Sequence, residues 1–484
     1  MKKIVFILAT IFCTLASQAQ QQQTKEIKLL TGEKWWASGE YPTMLYDSKQ
    51  CTNDRFTLLV SSAGRYIWSA KPISAYCNNE NLITTADNNL ELVSAGKTLK
   101  EAYVTAYYKH LSKNTKTVDK GIFERPIYVM SISDQDEFTQ DAVVKRAEWL
   151  IKEGFPKGVI ILDDRWQKSY GAFKFDSERF PAPETMVAKL KSLGFDIILS
   201  VVPFVSPDSR IIRQQANNGN IIVGEDGQPA IIKWNRGYSC SYDLNNQSVT
   251  EMIAKTLENL RTKYNISGFK FENIEKQLPA QASEWDCLAA KSKGNISSRM
   301  ESGTLFEIGY DDSTIEGVRD FVRRLLAFGL SGNVECVVSF ETETTKENIL
   351  NRIQFQSLMP IMKFSIEELE KLTAAERKKA LEIISQHREH ISYIETLLAE
   401  RTAKGDPIIR PLEYEYPRKG FSDCDDQFMI GNKIIIAPLS ADNRSRTLRL
   451  PRGNWFDANG KKIKGPIVKT INYDNYPFPL FKLK

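Results

Sequence analysis

The chain has 484 residues, 42% apolar and 26% charged, too many for a single core, so two or three domains are expected. Its formal charge of +5 is spread along the sequence without a long basic run, which argues against a nucleic-acid or membrane surface. Only three histidines occur, His110, His387 and His390, which leaves no support for a histidine-based triad and none for a metal centre.

The first element is a leader. Met1-Lys2-Lys3 precedes an apolar run over residues 4–15 and then Ala16-Ser17-Gln18-Ala19-Gln20. A charged start, a short apolar core and a small-x-small end make a signal peptide (residues 1–19, cleaved after Ala19) rather than a membrane span. The expectation is a soluble exported protein, periplasmic or extracellular. Six cysteines remain beyond the leader, Cys51, Cys77, Cys240, Cys287, Cys336 and Cys424. Their spacing fits no zinc pattern, and export would permit a disulfide, with Cys51–Cys77 the favoured pair.

Residues 25–120 alternate and turn often. Phe56-Thr57-Leu58-Leu59-Val60, Tyr66-Ile67-Trp68 and Ala102-Tyr103-Val104-Thr105-Ala106-Tyr107-Tyr108 are rich in β-branched and aromatic residues, so an N-terminal β-sandwich is expected. Over residues 121–403 the rhythm becomes strand, helix, strand, helix. Val159-Ile160-Ile161-Leu162 is continuously apolar, as a strand buried on both sides should be, and it ends in Asp163-Asp164. Val249, Met252, Ile253, Leu257 and Leu260 form a helical stripe that leads into a strand over residues 266–271. That strand ends in Glu272. Repeated βα units imply a parallel sheet, and two strands tipped with carboxylates favour a (β/α)8 TIM barrel, whose strand ends form the active-site mouth. Thr373 and Glu376 make a capping box for a long helix, on which His387 and His390 are expected at the surface. Residues 404–484 return to strands, with a hairpin turn at Asn459-Gly460, and should form a C-terminal β-sandwich.

Ordered strings across this frame resemble glycoside hydrolase family 31, the retaining α-glycosidases, and in particular an α-galactosidase-like branch. They include Val159-Ile160-Ile161-Leu162-Asp163-Asp164-Arg165-Trp166-Gln167, Tyr170-Gly171-Ala172-Phe173, Arg179-Phe180-Pro181, Pro203-Phe204-Val205-Ser206-Pro207-Asp208, Trp234-Asn235 and Tyr242-Asp243-Leu244. Gly268-Phe269-Lys270-Phe271, Gly329-Leu330-Ser331-Gly332, Met359-Pro360, Ile409-Arg410-Pro411-Leu412 and Leu450-Pro451-Arg452-Gly453-Asn454-Trp455 continue the series. The resemblance implies a barrel between two β-domains and hydrolysis of an α-glucoside or α-galactoside by two carboxyl groups, without a cofactor.

The resemblance also marks departures. Glu272 stands where the family places its aspartate nucleophile. One extra methylene moves the attacking oxygen by roughly 1 Å, enough to cost about 10²-fold if nothing compensates. The family's acid/base position falls on Tyr310, whose phenol, with an ordinary pKa near 10, is a poor acid for this task. A shift of one residue brings Asp311 there instead, although Asp311 also suits a helix cap. Ser339, Asn351-Arg352 and Ser365 replace further polar family residues. Asp163, Asp164, Trp166 and Trp234 are the expected sugar contacts, and Lys270, two residues before Glu272, should share its side of the strand. Two readings stay open: an altered glycosidase using Glu272 with Asp311, and a non-catalytic descendant that binds a carbohydrate or a protein at the barrel mouth.

Overall fold

The computed structural model describes residues 23–484 except 39–55, 79, 87–89, 113–120, 132–136, 235–236, 275, 293–294, 298–303, 334, 443–444 and 473–479. The expected leader and Cys51, one half of the expected Cys51–Cys77 pair, therefore lie outside the described residues, whereas Cys77 is described and buried. Among the described residues no helix is long and apolar enough to cross a membrane.

Six antiparallel strands open the chain: β1 (Gln23–Lys28), β2 (Trp35–Ser38), β3 (Phe56–Ser61), β4 (Arg65–Cys77), β5 (Asn81–Ala86) and β6 (Glu91–Ser94). Their order is β1-β5-β4-β3-β2, with β6 beside β4. Strand alternation sends Leu58, Val60 and Tyr66 to one face and Leu59, Ile67 and Ile73 to the other. The first face is covered by a helix, Leu99–Ala106, extended by a π-helical turn, Tyr107–Leu111. Two expectations change here. The described residues form one sheet under a helix rather than a two-sheet sandwich, and the segment read as a strand from Ala102 is helical. A capping box decides it: Glu101 N–H donates to Thr98 Oγ1 (3.3 Å) and Thr98 N–H to Glu101 Oε2 (3.0 Å). The aromatic residues that suggested a strand bury Tyr103 and Tyr107 four apart, on one helical face.

The middle of the chain supplies eight parallel strands: β7 (Ile127–Met130), β8 (Val159–Leu162), β9 (Asp196–Val201), β13 (Gly268–Phe271), β14 (Asn295–Ser297), β15 (Thr304–Tyr310), β16 (Cys336–Phe340) and β17 (Lys363–Ser365). Between β9 and β13 the chain makes a small ribbon of β10 (Phe204–Val205), β11 (Ile232–Trp234) and β12 (Gly237–Ser241). The large sheet runs β16-β15-β14-β13-β9-β8-β7-β17. Its backbone ladder stops at β16 and β17, so the expected barrel has one open seam among the described residues. Buried Gln356 spans that seam, donating from Nε2 to Val338 O on β16 (2.7 Å) and accepting at Oε1 from Lys363 N–H on β17 (3.2 Å). Helices such as Gln140–Glu153, Gln247–Tyr264 and Ile315–Leu330 pack their apolar stripes on the outside of the strands.

The capping box at Thr373 starts a 31-residue helix, Ala374–Lys404. His387 and His390, expected at its surface, are buried. The helix lies between two apolar layers, with Ile383 and Ile384 packed against the barrel side and Ile394 and Leu397 in the cluster that reaches the C-terminal strands. The ring nitrogens of His387 meet two backbone carbonyls, Ser357 O (2.7 Å) and Phe123 O (2.9 Å). The chain closes with β18 (Ile409–Arg410), β19 (Phe428–Ile430), β20 (Ile434–Ile436), β21 (Ser445–Asp457), β22 (Lys462–Asn472) and β23 (Leu480–Leu483). Among the described residues they form one sheet, β18-β19-β20-β23-β21-β22, not the two sheets of a sandwich. The expected hairpin at Asn459-Gly460 joins β21 to β22.

Candidate active site

Every parallel strand delivers its last residues to the same end of the sheet, and a cavity of about 840 Å³ opens there. Asp163 and Asp164 follow β8, Ser200 belongs to β9, and Lys270 and Glu272 sit on and just beyond β13; all five line the cavity. Glu272 is oriented by two donors. Ser200 Oγ donates to its Oε1 (2.7 Å) and Lys270 Nζ to its Oε2 (2.8 Å). Lys270 also faces Glu307 Oε2 on β15 at 3.4 Å. Burial alone would lower the Lys270 pKa, but Glu272 and Glu307 outweigh it and hold the ammonium above its usual range.

Below this pair the sheet interior is closed by polar groups. Lys363 on β17 bonds to Glu307 and to Ser339 on β16, and the Ser339 hydroxyl donates to Glu307. Glu307 is buried, yet Lys270 and Lys363 keep its carboxyl below the usual range. Lys363 is shifted down, because burial and the like charge of Lys270 exceed the pull of Glu307. Ser339 is therefore part of an internal network rather than of the cavity wall.

The two aspartates differ. Asp163 is well supplied with donors: Ser131 Oγ (2.6 Å) and Arg165 Nη2 (3.2 Å) reach Oδ2, and Asp164 N–H reaches Oδ1 (2.7 Å). Burial opposes its charge, but Ser131 and Arg165 prevail and its pKa falls. Asp164 is buried, and its backbone N–H is what bonds to the Asp163 carboxylate (2.7 Å). Burial first, then Asp163 and Glu272, push its pKa up to about 8.

Not all of the expected site residues gather here. Trp234 does, with its ring against Phe204 (4.5 Å between centroids). Trp166 does not: it is fully buried, its indole N–H donates to Ser200 O (2.8 Å), and its ring packs on Phe175. It supports the strand that carries Ser200 instead of offering a sugar platform. Asp311 is also displaced from the cavity. Its carboxylate turns back to accept from Ser313 N–H (2.9 Å), a local turn before the helix Ile315–Leu330, which Thr314 caps. Tyr310 points outward from β15 into the core, stacked on Phe321 (4.2 Å) and near Phe340 (5.2 Å), so neither ring fills the cavity. Arg352 is a buried ion-pair hub for Asp312 (2.8 Å) and Glu368 (3.1 Å).

Three features escaped the sequence reading. The buried Trp234 Nε1 and Gln277 Oε1, both on cavity-lining residues, have no hydrogen-bond partner among the described residues. Gln277 could have been suspected from its place in the loop directly after Glu272. Glu341, just past β16, lies over Gly309, its Oε1 only 1.7 Å from where a Cβ on Gly309 would stand. Gly309 shares the interior side of β15 with Glu307, so a carboxylate from the neighbouring strand takes the place of a side chain there.

Carboxyl groups, a lysine, hydroxyls and an indole around an open cavity suit a polyhydroxylated ligand. Comparison with known proteins agrees. The description of the glycosyl hydrolases family 31 TIM-barrel domain matches residues 128–323, and that of the family 31 C-terminal domain matches residues 405–482. The chain is 24% identical to the myogenesis-regulating glycosidase of Mus musculus, over 78% of this chain and 58% of that protein. It is 22% identical to alpha-glucosidase 2 of Bacillus thermoamyloliquefaciens, over 71% of this chain and 50% of that protein. The chain thus spans between half and three-fifths of these relatives. Among solved structures, a Flavobacterium johnsoniae dextranase complexed with glucose superposes with a TM-score of 0.73 at 16% identity, covering 96% of this chain and 66% of the other. Fold, strand-end carboxylates and both matched domains agree: the chain belongs to glycoside hydrolase family 31.

Proposed function

We propose that the protein hydrolyses an α-glycoside, with Glu272 as the nucleophile that attacks the anomeric carbon. The observation that carries this reading is the clamp on Glu272. Its two oxygens are held by Ser200 and Lys270 at the cavity wall, which is the compensation a longer side chain needs to reach a defined attack position. Asp163, Trp234 and Gln277, all at the cavity wall, supply the sugar contacts. Export through the leader would place this activity in the periplasm or outside the cell.

The test is release of aryl alcohol from aryl α-glucosides and α-galactosides by the mature protein, alongside Glu272→Gln. Turnover that the variant abolishes supports the reading, and the anomer first formed, followed by NMR, reports retention. A second reading rests on Tyr310 and Asp311: one lies in the core and the other is tied into a turn, so neither offers a proton at the end of β15. On that reading the cavity binds a carbohydrate without cleaving it. Sugar would then raise the unfolding temperature while aryl alcohol is never released.

A further inference from the structure

The clamp on Glu272 continues below the cavity. We propose that Glu307 is a positioning residue for Glu272: it anchors Lys270 from beneath, and Lys363 and Ser339 anchor it in turn. This rests on the reading of Glu272 as a nucleophile.

A glutamate has one more rotatable bond than an aspartate, so the attack position of Glu272 depends on its two donors. Each donor has a second hold. Ser200 is fixed through its backbone, whose carbonyl accepts from the Trp166 indole (2.8 Å). Lys270 ends a flexible four-carbon stem, and a single bond to Glu272 would let its ammonium follow that carboxylate wherever it turned. Glu307 removes this freedom, with Oε2 at 3.4 Å from the Lys270 Nζ. Glu307 is itself held, because Lys363 Nζ and the Ser339 hydroxyl both donate to its Oε1.

The run Glu272, Lys270, Glu307, Lys363 alternates in sign, so two carboxylates balance two ammonium groups. Side-chain exposure falls along it, from 22% at Glu272 to 13% at Lys270 and Glu307 and 8% at Lys363, so it leads from the cavity into the interior. It starts beside β13, reaches β15 past the intervening β14, and ends on β17, across the open seam from β16. Glu272 and Lys270 line the cavity, whereas Glu307, Ser339 and Lys363 do not, so these three act on the chemistry only through Lys270. A buried glutamate–lysine pair is a weak source of stability, since apolar side chains of similar volume serve as well or better. Its geometry suits a different task, which is to fix where one ammonium stands at the cavity floor.

Two variants separate positioning from packing. Glu307→Gln keeps the size of the side chain, but it takes the lower anchor from Lys270 and leaves Lys363 buried without its carboxylate. Glu307→Gln combined with Lys363→Met removes that stranded cation as well. The readout is covalent labelling of Glu272 by ring-fluorinated α-glucosyl and α-galactosyl fluorides, followed by intact mass and peptide mapping. A Glu272 oxygen bonds to the anomeric carbon as fluoride departs with the C–F electron pair, a leaving group that needs little help from an acid. In both variants the maximal labelling rate should fall by about 10²-fold, while the half-saturating concentration changes by less than about twofold. Thermal unfolding should show the single variant weakened and the double variant restored toward wild type. Stability then returns without the rate, which packing alone does not produce. Recovery of the wild-type labelling rate in the double variant would overturn the proposal, and so would an unchanged rate in the single one. If the single variant does not fold, the double variant decides by the same criterion. A wild-type protein that neither takes the label at Glu272 nor releases aryl alcohol would sink the nucleophile reading, and the positioning role with it.

Discussion

At the scale of single residues, the site is built by unequal treatment of similar groups. Asp163 and Asp164 are adjacent in sequence, yet one is drawn toward its anion by Ser131 and Arg165 while burial and two carboxylates press the other toward its acid. The linkage has a sign. A carboxyl whose pKa rises from about 3.9 to about 8 on folding costs no stability below pH 4, and the cost grows as pH climbs to 8. Asp164→Asn should therefore stabilise the protein, by on the order of a few kcal/mol at pH 8 and by little at pH 4. Thermal unfolding of both proteins across that range checks it; a difference that shrinks with rising pH would contradict it. Lys270 behaves in the opposite way. Lys270→Met leaves Glu272 and Glu307 without the cation they share, which should cost about 3–5 kcal/mol and with it the orientation of Glu272. Denaturant titration reads the first loss, and kcat on an aryl glycoside reads the second.

At the scale of elements, side chains decide where backbone pairing stops. The eight-stranded sheet does not complete its ladder between β16 and β17, and the amide of Gln356 spans the gap. Gln356→Leu fills the same volume but strands the Val338 carbonyl and the Lys363 N–H. A loss of about 2–4 kcal/mol should follow, together with faster amide exchange at Lys363. An unchanged exchange rate would show that water or a shifted strand serves the seam equally well. Local sequence also settles the first helix. Thr98 and Glu101 were a legible start signal, but the aromatic run that follows has strand-like composition, and a count of residue types outweighed the cap.

At the scale of the whole molecule, the polypeptide alone determined the succession of strand-rich, alternating and strand-rich segments, because hydrophobic periodicity is a local property. It also determined that Asp163, Asp164 and Glu272 stand at strand ends, since an apolar run that stops at a carboxylate marks the rim of a parallel sheet. The tertiary structure alone decided which carboxyl groups face one cavity. Asp311 was a sound candidate by position, but its carboxylate is used by the turn to Ser313, two residues away. Trp166 looked like a sugar platform, but the barrel wraps around it and leaves only its N–H a task. His387 and His390 looked exposed on a polar helix, and only the arrival of a second apolar layer buries them. Glu341 over Gly309 and the Lys270–Glu307–Lys363 chain join residues that lie far apart in sequence or on different strands, and no local pattern records them. Burial and charge pairing depend on what the rest of the chain brings to a point in space. For that reason the rim of the site was readable from the sequence, and the division of labour within it was not.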